Sequence, residues 1–229
     1  MFSVRIITNF AVSKSLFVMS PLAKLGNVPF DLGVLASTFP GTKHVTEKAR
    51  RLEAEGKIMR VKRGLYVASP DETGKTLNRY LIANHLYGPS YVSLQTALRH
   101  YGLIPERVHM VQSLTTKHAR SFDTPVGHFT YESCDKDYFA AGVRVEREDG
   151  ITYLIATPEK ALCDLINYSK GVNLRFMRDV ACYLEEDIRL DMDTLRRFDL
   201  SIIERCAAHS RKGQNINTLI KFIRHERNI

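Results

Sequence analysis

Eight cationic side chains crowd the segment from Gly41 to Val67: Lys43, Lys48, Arg50, Arg51, Lys57, Arg60, Lys62 and Arg63. Glu47, Glu53 and Glu55 oppose them, so this segment carries +5 of the chain's formal +8. The chemistry open to such a set is recognition of a polyanion. Lysine and arginine neutralise phosphates and release condensed counterions. An arginine forks onto a guanine edge and a glutamate accepts from a cytosine amine, which are the roles expected of Arg50 and Glu47. Thr42, Lys43, Thr46 and Arg51 would flank them. Arg60, Lys62, Arg63 and Gly64 would add phosphate contacts from a second element.

Periodicity says which elements must hold these groups. At about 100° per residue, Val45, Ala49 and Leu52 share one helical stripe. Lys43, Glu47 and Arg50 fall opposite, so the helix packs with one side and offers polar groups with the other. Gly56 supplies the left-handed conformation that ends a helix. Lys57–Lys62 and Leu65–Val67 read as strands around a tight Arg63-Gly64 turn. A short helix over 30–38, with Leu32, Val34 and Leu35 as its apolar content, precedes them through a Pro40-Gly41 turn. Helix, turn, helix, strand, turn, strand is the order of a winged helix-turn-helix, expected over residues 19–70. A solvated surface helix would share the periodicity of 45–52. The basic strand and turn behind it favour duplex DNA.

Other chemistries fail on spacing. TGKT at 73–76 resembles the tail of a phosphate-binding loop, but the required first glycine is Ser69. His100, His109, His118 and His128 have no spacing that puts two on one helical face as metal ligands. The four cysteines, Cys134, Cys163, Cys182 and Cys206, form no C-x-x-C pair. Free thiols suit a reducing cytoplasm. Neither a G-x-S-x-G elbow nor a nucleotidyltransferase signature is present. No catalytic residue, metal or cofactor is assigned, and an enzyme is not expected. Hydrophobic content of 44% with 25% charged residues fits a globular chain rather than a disordered one. No apolar run is long enough to span a membrane. Residues 1–18 are broken by Asn9, Ser13 and Lys14 and are expected to form a poorly ordered extension.

Residues 69–75 read as a turn-rich linker that few contacts cross, so the part from 76 to 229 is expected to fold separately. A helix over 76–87 has Leu77, Tyr80, Leu81 and Asn84 on one side, and Gly88-Pro89 stops it. Ser93 is placed to cap a helix ending at Gly102. Stretches 108–117, 127–134, 143–149 and 151–157 are rich in β-branched and aromatic residues, with a hairpin turn at Asp149-Gly150. Thr157-Pro158-Glu159 opens a helical part that continues to the C-terminus. The fold class is therefore α+β, with a mostly antiparallel sheet in the second domain. A second basic set, Arg99, Arg107, Lys117, His118 and Arg120, lies on or near 108–117. Alternation there puts His109, Ser113 and Thr115 on one face and Val108, Met110 and Leu114 on the other. Two readings stand: a solvated sheet face, or a surface for an acidic partner or RNA.

Five blocks carry a family resemblance: RGLYV at 63–67, YVSLQTALRHYGLIPERV at 91–108, TTK at 115–117, SFDTPVGHFTY at 121–131 and IATPEKALCDLI at 155–166. In order and spacing the chain resembles AbiEi-type antitoxins of type IV toxin–antitoxin (abortive infection) systems, from about Leu25 to Asn167. The resemblance implies a bacterial, cytoplasmic repressor whose winged helix binds inverted repeats in its own promoter. It implies a second domain that counters a cognate AbiEii-type nucleotidyltransferase toxin without requiring a stable complex. Tyr91, Ser93, Leu94, Ala97, Tyr101, Gly102, Thr115, Thr116, Pro158 and Glu159 match the family pattern in largely structural roles. Lys117, with Arg107 and Arg120, is the expected antitoxin surface. Two other classes remain: a transcription factor whose second domain binds a small effector, and an enzyme such as a nuclease.

Overall fold

The computed structural model describes residues 20–227. The expected extension, residues 1–18, lies outside them. A 3-10 turn at Pro21–Leu25 leads to α1 (Leu32–Thr38), α2 (Val45–Ala54), β1 (Ile58–Lys62) and β2 (Leu65–Ala68). Asp31 caps α1 by accepting from the Val34 amide at 2.9 Å. On α1 Leu35 is buried, but Val34 points outward and is 43% exposed. Val45, Ala49 and Leu52 of α2 pack inward as their spacing predicts. Gly56 follows α2 at φ +70°, a conformation that other residues adopt only with strain. β1 and β2 pair antiparallel around the Arg63-Gly64 turn, and Phe30 bridges Tyr66 by two 2.8 Å backbone bonds.

The two-stranded sheet is apolar on both faces. Ile58, Tyr66 and Ala68 join Leu22, Phe30, Leu35, Ala49 and Leu52 in a small core. Val61 and Val67 belong to the large core of the rest of the chain, with Met59 and Leu65 packed against it. Strand alternation explains the split: residues one apart point to opposite faces, and both faces are covered. The expected loose linker is a one-turn helix, α3 (Pro70–Thr73), which Ser69 caps and which packs against the 3-10 turn. The junction between the two parts is therefore packed, not merely tethered.

The rest of the chain runs α4 (Arg79–Leu86), β3 (Ser90–Val92), α5 (Leu94–His100), β4 (Val111–Thr115), β5 (Arg120–Thr124), β6 (Gly127–Ser133), α6 (Lys136–Phe139), β7 (Val143–Glu148), β8 (Ile151–Ala156) and α7 (Pro158–Tyr168). Then come α8 (Met177–Cys182), a π-helical turn over Tyr183–Asp187, α9 (Met192–Leu195), α10 (Leu200–His209) and α11 (Gly213–Arg227). The sheet order is β5-β6-β4-β3-β8-β7. It is mixed: β4 with β6 and β3 with β8 are parallel, while the other three pairings are antiparallel. The class is α+β as expected. Both parallel pairings join strands separated in the sequence, which alternation alone does not reveal.

Every residue of β3 is buried, so the sheet centre is covered on both faces. α4 packs across β3, β4 and β8, and α7 packs against α5 and α10. Ser113 and Thr115 of β4 are completely buried, which rules out the solvated sheet face read from their alternation. Thr115 donates to the Pro89 carbonyl at 2.7 Å and accepts from the Lys117 amide.

Candidate nucleic-acid interface

Thr46, Glu47, Arg50 and Arg51 all stand exposed on α2, with Lys43 just before it. Thr42, Lys43, Glu47 and Arg51 line a shallow concavity of about 470 Å³ at the start of that helix. Lys48 lies 4.4 Å from the centre of the Phe39 ring, which anchors its stem. Three of the cations have acidic neighbours: Arg51 and Lys57 reach Glu55 at 3.4 and 3.0 Å, and Arg60 reaches Glu53 at 3.4 Å. Lys57 and Arg51 hold the Glu55 carboxyl below its ordinary value, the Lys57 hydrogen bond foremost. Among the described residues Lys43, Arg50 and Arg63 form no ion pair. No described carboxylate within 4.0 Å offsets these three.

Lys62 departs from the expected pattern. Its ammonium donates to the backbone carbonyl of Leu86, the last residue of α4. Burial holds its pKa below the ordinary lysine value, with Lys117 and Arg120 adding repulsion. His85 is lowered in turn by its own burial and by Lys62. The end of the β1 strand therefore meets the turn between β4 and β5, and one basic surface runs across both parts of the chain.

Aromatic rings floor that surface. Lys117 stands 5.3 Å from the Tyr87 ring centre and Arg120 4.9 Å from Phe122. Tyr87 and Phe122 each pack edge-on against Tyr131, with centroids 5.3 and 5.8 Å away, and lie tilted against each other at 5.6 Å. Tyr87 also donates to the His118 carbonyl at 3.3 Å, which fixes the turn that carries Lys117. Rings held this way position cations without neutralising them. Arg107 is not part of the group. It precedes β4 whereas Lys117 follows it, so the strand's length of about 15 Å lies between them. The residues expected to form one antitoxin surface are thus two neighbours and one outlier.

The resemblance blocks meet elsewhere, in the interior. Asp164 of α7 accepts from Tyr91 Oη at 3.1 Å, from Tyr138 Oη at 2.7 Å and from Ser93 Oγ. Lys160, one turn earlier, lies 3.2 Å from Asp164 and donates to the Tyr138 carbonyl at 2.8 Å. Both charged residues are completely buried. Ser93 starts α5 but spends its hydroxyl on Asp164, so it makes no cap hydrogen bond, unlike the expectation. Gly142 sits against this centre at φ +67°, and a Cβ there would lie 2.8 Å from Lys160 Cβ. A lysine and an aspartate four apart in KALCDLI, residues 160–166, is a signal the sequence did carry, since charges in an apolar helix are buried in pairs.

No group of three or more His, Cys, Asp or Glu suited to a metal occurs among the described residues. All four cysteines are free thiols. No described helix is long and apolar enough to cross a membrane. Comparison with known proteins yields no matching family model and no matching curated protein.

Proposed function

We propose that the N-terminal part is a winged helix-turn-helix and that the chain binds duplex DNA as a repressor, with no catalytic role. The observation that carries this reading is the exposed basic and polar side of α2, with Lys43 before it and Arg63 in the β1–β2 turn; Lys62, Lys117 and Arg120 form a further cationic cluster. Unpaired cations at Lys43, Arg50 and Arg63 suit phosphates and base edges, and α2 offers its polar side with its apolar side packed. Crowded like charges around Lys62 also favour a polyanion, which relieves their mutual repulsion. The resemblance to AbiEi-type antitoxins supports a specific form of this role: repression of the chain's own promoter, with neutralisation of a nucleotidyltransferase toxin by the second part. Cytoplasmic placement follows from that role.

Gel-shift titration on the DNA upstream of the protein's own gene tests the binding. If about six phosphates are neutralised, log affinity falls against log salt with a slope near −5. The charge reversal Lys117→Glu with Arg120→Glu is expected to weaken DNA binding as well as toxin rescue, because both residues adjoin Lys62. Affinity that ignores salt, or a double reversal that leaves DNA binding intact, would remove the proposed surface. Growth rescue on co-expression with the nucleotidyltransferase encoded beside the gene tests the antitoxin role separately.

A further inference from the structure

A pocket of about 360 Å³ opens between the start of α4, α5, the loop before β4 and the β7–β8 turn, away from the basic surface described above. Two arginines, Arg79 and Arg99, line it together with His100. Among the described residues neither arginine forms an ion pair. Arg79 donates one Nη to the His109 carbonyl at 2.8 Å and lies 5.9 Å from the Phe129 ring centre. Its Nε is buried with no hydrogen-bond partner. Arg99 donates to the Ile104 carbonyl at 3.1 Å, which leaves most of its fork free. The Arg79 Nε packs over Gly127 and is not open to an occupant; a guanidinium that has no carboxylate partner pairs with a carboxylate or phosphate through its remaining N–H groups by charge-assisted bonds.

The remaining lining suits an organic body rather than a bare ion. Leu77, Val108 and Met110 give an apolar side, and Met110 is 38% exposed where an occupant would cover it. Tyr80 and His100 stand edge to face at 5.5 Å and close the wall. Glu148 is at the rim, where its carboxylate is already engaged by Asn78 at 3.0 Å and Tyr153 at 3.2 Å. Thr96 pins the loop before β4 by donating to the Met110 carbonyl and accepting from the Gln112 amide, so the pocket is preformed. We propose that this pocket is a binding site for a small organic anion, its carboxylate or phosphate held by Arg79 and Arg99 and its apolar part by Leu77, Val108 and Met110.

Calorimetric titration of the full chain tests the site with phenyl phosphate and benzoate as probes, against inorganic phosphate and benzyl alcohol. Binding of phenyl phosphate alone assigns a phosphate ligand, and binding of benzoate alone or of both assigns a carboxylate-compatible one. Arg79→Gln and Arg99→Gln are each expected to weaken the probe by about tenfold, the loss of one charge-assisted contact. Arg99 is exposed, so its variant keeps the fold even if Arg79→Gln lowers stability. Met110→Glu, also at an exposed position, should abolish binding by repulsion. The site is overturned if neither probe binds, if both arginine variants bind as the parent does, or if inorganic phosphate or benzyl alcohol binds as well as the probes.

Discussion

Asp164 gathers four donors in the interior; its loss would leave the Tyr91, Ser93 and Tyr138 hydroxyls without this acceptor and Lys160 without its counter-charge, with only the Tyr138 carbonyl left to accept from it. Replacing it with alanine strands the buried Lys160 ammonium, the situation in which one partner of a buried pair is removed. Asp164→Ala is expected to destabilise by about 3–5 kcal/mol, and Asp164→Asn by less, since the amide keeps an acceptor oxygen. Urea unfolding monitored by circular dichroism reads both, and an unchanged midpoint for the alanine variant would show that the network contributes nothing. The surface residues answer to a different measurement. Arg50→Ala is expected to lower affinity for the preferred DNA by about tenfold or more and to relax its sequence preference. Arg63→Ala in the turn should weaken all sequences alike, because phosphate contacts carry no sequence information. Equal effects of the two substitutions on specific and random DNA would remove Arg50 from base reading.

At the scale of elements, the two-stranded sheet is held between two cores. A fragment beginning at Thr76 would lose Val61 and Val67 from the large core and uncover what they pack against. It would also free the Leu86 carbonyl that Lys62 caps. Such a fragment is expected to melt several degrees lower than the full chain, or to aggregate, in contrast to the independent unit that the linker's turn residues suggest. A melting temperature equal to the parent's would show the seam to be energetically idle. The seam was legible in part. LYVA at 65–68 is apolar without alternation, the mark of a strand covered on both faces, whereas α2 declares one buried stripe by spacing alone. β3 is three residues long and β5 carries polar, exposed positions along a sheet edge, so neither stands out as a strand. The cations were legible by type. Their grouping was not, because Lys62 and Lys117 are distant in sequence and only the packing of β1 against β5 brings them together.

For the whole molecule, the distribution of buried phenols fixes how stability responds to alkali. Burial pushes the hydroxyls of Tyr101 and Tyr183 up to about 12, and those of Tyr131, Tyr153 and Tyr168 higher still. Tyr91 and Tyr138 are raised well above the ordinary value by burial and then by the Asp164 charge. Burial also raises the Cys134 thiol to about 12 from its ordinary 9.0. In each case the folded state keeps a proton that the unfolded chain releases near the ordinary tyrosine value of 10.0, or 9.0 for the thiol. Above those values the unfolded state binds fewer protons than the folded one, so the free energy of unfolding must fall as pH rises. Below them the contribution is fully present and flat. Unfolding free energy measured in urea from pH about 8 to about 11 is therefore expected to be level at first and then to decline steeply, with several groups acting together. Tyr131→Phe removes one of these phenols at a position where its hydroxyl makes a single bond, to the Ala83 carbonyl at 2.8 Å. That variant should start less stable yet lose less stability over the alkaline range. A parent curve that stays level through the range would mean that the phenols ionise without unfolding, and hence that water reaches the interior around α4, α7 and the central strands.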